Sequence, residues 1–102
     1  MKDEMNEKNR EKFIKFSNIL VDFVDLIHAY GNEKEKKDFQ KQEIKVLLRE
    51  MLHLSKIIGG KIYERTFQMI EKTVIFFDET SQEKKEEIEK FALFCKNELW
   101  EL

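Results

Sequence analysis

A chain of 102 residues that is 41% hydrophobic and 39% charged has room for one domain with one core, and too much apolar surface to stay unfolded. Its formal charge of -2 comes from interleaved acids and bases, with no basic stripe of the kind that binds nucleic acid, and its single cysteine, Cys95, excludes an internal disulfide or a cysteine-based zinc site. No proline and only three glycines argue against repeated strand reversals and for long helices joined by short turns.

The opening stretch, 1–9, is charged, without an apolar signal core or a periodic stripe. It reads as a frayed turn or an unstructured lead, with Asn6 or Asn9 expected to cap the first helix. Helix one is expected over about 10–30. Phe13, Phe16, Leu20, Phe23, Val24 and Ile27 recur at helical spacing, and Ile14, Ile19, Val21, Leu26 and Tyr30 widen that stripe on both flanks. Gly31 comes next, as a left-handed C-terminal residue.

Helix two is expected over about 33–58, with Asn32 and Glu35 forming a capping box and Asp38 as a rival cap. It carries the clearest period in the chain: Ile44, Leu47, Leu48, Met51, Leu54, Ser55 and Ile58 share one face. Val46, Arg49, His53, Lys56 and Ile57 fall opposite. The helix ends at Gly59-Gly60, the one double glycine.

Helix three is expected over about 61–77, with Tyr63, Phe67, Ile70, Val74 and Phe77 as its stripe and Ile62, Thr66, Met69 and Thr73 beside it. Its end, Thr73 to Phe77, has strand propensity, but a lone strand has nothing to pair with, so the helix is retained. Thr80 and Glu83 form a second capping box ahead of helix four, about 82–100, whose core face is Ile88, Phe91, Ala92, Cys95 and Leu99. The whole chain, 1–102, reads as a single all-α domain, an antiparallel up-down four-helix bundle; a three-helix chain exchanging its fourth helix with a second copy is the alternative.

Chemistry is sparse. Asp25 with His28, and Glu50 with His53, have the carboxylate-x-x-histidine spacing of di-iron bundles, but antiparallel packing puts the two histidines at opposite poles. No metal, cofactor or enzymatic activity is expected. Gly59-Gly60 lacks the further residues of a phosphate-binding loop, and no serine or threonine lies in a nucleophile motif.

The run His53-Leu54-Ser55-Lys56 resembles in part a histidine phosphotransfer domain, a four-helix bundle whose exposed histidine is followed three residues later by lysine. The resemblance implies His53 as phosphoryl acceptor, Lys56 as charge partner for the phosphoryl oxygens, and Val46 and Ile57 in a docking patch. The family places glycine directly after the lysine, where this chain has Ile57.

An apolar excess is left over. Val46, Ile57, Ile75, Leu93 and Trp100 fall on outer faces, and Leu93 and Trp100, seven residues apart, lie above one another on helix four. Burying that pair is worth on the order of 4 kcal/mol by area, before the cost of association. The expectation is a protein-interaction module: a regulator, adaptor, immunity-like protein or complex subunit that binds a protein partner or itself as a homodimer. With no apolar run near the length of a membrane span, it is expected in the cytoplasm without membrane contact.

Overall fold

The computed structural model describes residues 2–100, with side chains described from Arg10 onward. Four α-helices succeed one another: α1 (Lys2–Ala29), α2 (Lys37–Ile58), α3 (Gly60–Asp78) and α4 (Gln82–Trp100), with a 3-10 turn (Lys34–Lys36) ahead of α2. Each helix packs on its sequence neighbours and α4 closes back onto α1, so α1 and α3, and likewise α2 and α4, stand diagonally across the bundle with no close backbone approach. This is the expected up-down-up-down arrangement. Among the described residues there is no strand, and no helix is long and apolar enough to cross a membrane.

The backbone is already helical at Lys2, so Asn6 and Asn9 lie within α1 and not at its cap. The stretch is rich in Lys, Glu and Met, good helix formers, and holds neither glycine nor proline. Gly31 takes the left-handed conformation, φ 82°, that ends α1, and Gly59, φ 79°, turns α2 directly into α3.

The end of α1 is held by side chains that reach it from elsewhere. Lys85 of α4 is buried and donates to the His28 carbonyl at 2.8 Å, a cation at the negative end of a helix. Asn32 donates to the same carbonyl at 3.2 Å, and Gln40 donates to the Ala29 carbonyl at 3.3 Å. Neither expected capping box forms. The amide of Asn32 is committed to α1, and α2 opens at Lys36 with no side-chain cap. Thr80 turns back to the Phe76 carbonyl at 2.9 Å, and Ser81 accepts the Lys84 amide at 3.2 Å and caps α4 in its place.

The core face of α2 is the expected one, with Ile44, Leu48, Met51, Leu54 and Ser55 buried. On α3 the expected stripe is turned by about one residue. Ile62, Thr66, Met69, Thr73 and Phe76 are buried, while Phe67 and Val74 are exposed. Thr66 and Thr73 fit the core because their hydroxyls donate to the carbonyls of Ile62 and Met69, four residues back, at 2.8 and 2.7 Å. On α1, Ile14 and Val21 are likewise exposed, where a continuous apolar flank was expected.

Candidate protein-interaction face

The five outer-face residues singled out from the sequence are all exposed, from Ile57 at 47% to Leu93 at 57%. They do not form one surface. Val46 and Ile57 lie on α2, diagonal to α4. Ile75 borders the α3/α4 groove beside Lys72, Glu87 and Phe91. Leu93 lines the α1/α4 groove with Val21, and the seven-residue spacing puts exposed Trp100 in line with Leu93 and exposed Ile14 in line with Val21.

One contact sets the level of each residue. His28 Nε2 and a Glu89 carboxylate oxygen lie 2.5 Å apart and tie the end of α1 to the first half of α4. Stepping along both antiparallel helices from that contact, Val21 falls level with Lys96, midway between Leu93 and Trp100, and Ile14 falls beyond Trp100. Exposed apolar side chains therefore alternate from helix to helix, Leu93, Val21, Trp100, Ile14, at steps of about 5 Å along the bundle. Between Leu93 and Val21 runs a groove of about 170 Å³ with Leu20, Val24 and Ala92 in its walls and Asp25, Glu89 and Lys96 at its rim.

The α1 members of this face were missed because a stripe as broad as Phe13 to Tyr30 looks apolar on nearly every side. A sequence signal for them did exist: Ile14 and Val21 are seven apart, the same spacing that singled out Leu93 and Trp100. Beneath the face, Ser17 is buried and its hydroxyl has no hydrogen-bond partner among the described residues.

The neighbouring α3/α4 face is apolar too, but its own charges close it. Arg65 bonds both Glu98 carboxylate oxygens, at 3.2 and 3.4 Å, with its guanidinium 5.2 Å from the Phe94 ring. Lys72 bonds Glu87 at 2.9 Å and lies 5.4 Å from the Phe91 ring. These contacts hold the Arg65 guanidinium above its usual range and the Glu87 carboxyl below its own, each chiefly through the hydrogen bond to its partner. Among the described residues no such pair covers Val21 and Leu93.

His53 is exposed on α2 and borders a shallow groove with Lys15, Val46, Arg49 and Glu50, while Lys56 is exposed one turn further on. His28, by contrast, is half-buried at the other pole against Glu89. Among the described residues no three His, Cys, Asp or Glu side chains converge on a common point. Cys95 is buried in the core, and burial, with Glu98 nearby, pushes its thiol up to about 12. No family model matches the chain, and no curated protein or solved structure shows similarity to it.

Proposed function

We propose that this is a cytoplasmic, non-enzymatic interaction module that binds protein through the α1/α4 face. The observation that supports the reading is the pair of exposed apolar residues Leu93 and Val21 across one groove with charge at its rim, continued along the same two helices by exposed Trp100 and Ile14. Isolated apolar residues are ordinary on a protein surface; a continuous alternating row with a tryptophan at its centre has the make-up of a binding anchor. The test is a photo-crosslinking amino acid placed at Leu93 or Val21 in the intact chain inside cells. Discrete adducts, to another protein or to a second copy, are expected at both positions and not at Lys45 on α2. Equal labelling at all three positions would remove the reading.

A second reading is favoured by the setting of His53, which has Lys15 and Arg49 around the same groove and Lys56 one turn away. Those cations would attract a phosphoryl group transferred to the imidazole. Incubation with phosphorylated receiver domains would then label His53, the label would be acid-labile, and His53→Gln would abolish it. An unlabelled chain across a broad receiver panel ends this reading.

A further inference from the structure

We propose that the occupant of the α1/α4 face is a second copy of this chain, docked so that α1 of each copy lies antiparallel on α4 of the other. The inference rests on the reading of that face as a protein-binding surface and names its partner. It comes from the order of residues along the groove. A two-fold axis running along the bundle keeps every residue at its own level while exchanging α1 for α4. Because Val21 lies level between Leu93 and Trp100, it enters the gap between Leu93 and Trp100 of the second copy. Trp100 in turn enters the gap between Val21 and Ile14 of that copy. The row interdigitates with itself, which an unrelated partner would not require.

The polar flanks agree with the same placement. Asp25 stands on the α2 side of the α1 ridge, and Lys90 on the α3 side of the α4 ridge, within two residues of the same level. The two-fold exchange puts them on one flank, Asp25 of each copy beside Lys90 of the other, with Asn18 beside Asn97 about two turns further along. Neither Asp25 nor Lys90 makes an ion pair among the described residues of its own chain. One feature opposes closure: Lys96 lies level with Val21 on the inner side of α4, so the two copies of Lys96 approach the axis together.

The area sets the strength. An apolar row about 15 Å long, on two helices about 8–10 Å apart that together span about 20 Å, covers about 300 Å² per copy, or about 600 Å² in total. That falls well short of the roughly 1,000 Å² expected of a stable interface, so the dimer is weak and reversible, with a dissociation constant well above micromolar.

The experiment is sedimentation equilibrium of the full chain over a range of concentrations, with helicity followed in parallel. The mass is expected to climb toward twice the monomer as concentration rises, and Trp100 fluorescence to shift with it. Leu93→Glu should keep the protein helical and monomeric. Asp25→Lys and Lys90→Asp should each weaken the dimer about tenfold, since each places two like-charged contacts at the interface. Mixing these two variants should restore association as a heterodimer, because both contacts between positions 25 and 90 are then again of opposite sign. Lys96→Gln should tighten the dimer. A dimer indifferent to both charge reversals overturns the proposed docking. A helical monomer at every concentration overturns self-association while leaving the face open to another protein, an outcome the crosslinks from Leu93 and Val21 report separately.

Discussion

Helices α2 and α3 are adjacent, similar in length and similarly amphipathic, yet one buries the stripe its sequence displays and the other does not. On α2 from Ile44 onward the core face is Leu, Ile and Met, and the opposite face is Lys, Arg, His and Glu, interrupted by Val46 and Ile57, with Phe39 exposed in the first turn. Only one orientation buries the apolar set without burying charge. On α3 apolar and aromatic residues occupy more than half the circumference, so several orientations bury similar area. The choice falls to finer terms. Ile62, Met69 and Phe76, seven residues apart in turn, supply the core, and the two threonines between them carry their own hydrogen-bond partners in the helix behind them. Hydrophobic area decides an orientation only where the alternative is costly.

The largest effect belongs to α2. Met51 is fully buried, and Met51→Asp places an unpaired carboxylate in the core, which costs more than a small domain has to spare. The variant should be unfolded by circular dichroism at room temperature. A folded variant would mean that the α2 core face is misassigned. Next comes α3. Phe76 is fully buried against Tyr30, with ring centroids 5.3 Å apart, although nothing in the expected stripe singled it out. Phe76→Ala should cost about 3–5 kcal/mol in a denaturant titration. A loss below about 1 kcal/mol would place Phe76 outside the core and return α3 to the orientation its aromatic residues suggest.

Legibility divides along the same line. Helix number, the helix ends other than the start of α1, the antiparallel order and the α2 and α4 core faces could be read from period and glycine placement, because charge marks the outside of α2 and Ile88, Ala92, Cys95 and Leu99 keep a regular period on α4. The central stripe of α1 was legible too, with Phe16, Leu20, Phe23 and Ile27 buried, but its flanks and the α3 face were not, because Ile14, Val21, Phe67 and Val74 carry the same chemistry as the residues beneath them. Half of the candidate face, Leu93 and Trp100, was visible on its own helix. The other half depended on which side of α1 meets α4, a tertiary fact expressed through His28, Glu89 and Lys85 that no local pattern encodes. Capping failed for a related reason: Asn32 and Thr80 each have a carbonyl of the preceding helix within reach, and they bond backward.

A smaller effect tests why threonine is tolerated inside α3. Thr73 is fully buried, and its hydroxyl bonds only the Met69 carbonyl, at 2.7 Å. Val has nearly the same shape and removes donor and acceptor together. The carbonyl left behind keeps its helical amide partner, so Thr73→Val should change stability by no more than about 1 kcal/mol in either direction. Thr73→Asn, which adds volume and a second polar group with no partner in the core, should cost about 2 kcal/mol or more. Equal losses for both variants would show that the hydroxyl has a structural role beyond its own helix.

The smallest expected effect separates the two orientations of α3 most directly. Phe67 and Val74 belong to the stripe expected from sequence, and burying that stripe would make Phe67→Ser cost about 3–5 kcal/mol. In the structure Phe67 is 43% and Val74 54% exposed, and the Phe67 ring has an edge-to-face contact with Tyr63 at 4.9 Å. Losing that contact and some partly covered area should cost about 1 kcal/mol for Phe67→Ser, while Val74→Thr should stay within about 0.5 kcal/mol. The two positions lie two turns apart, about 10 Å along the helix, so the double variant should be close to additive. A double variant that loses about 3 kcal/mol or more would place both side chains in the core. One that keeps its stability and its concentration-dependent mass would show that exposed apolar residues on α3 are passengers, and would confine the association surface to α1 and α4.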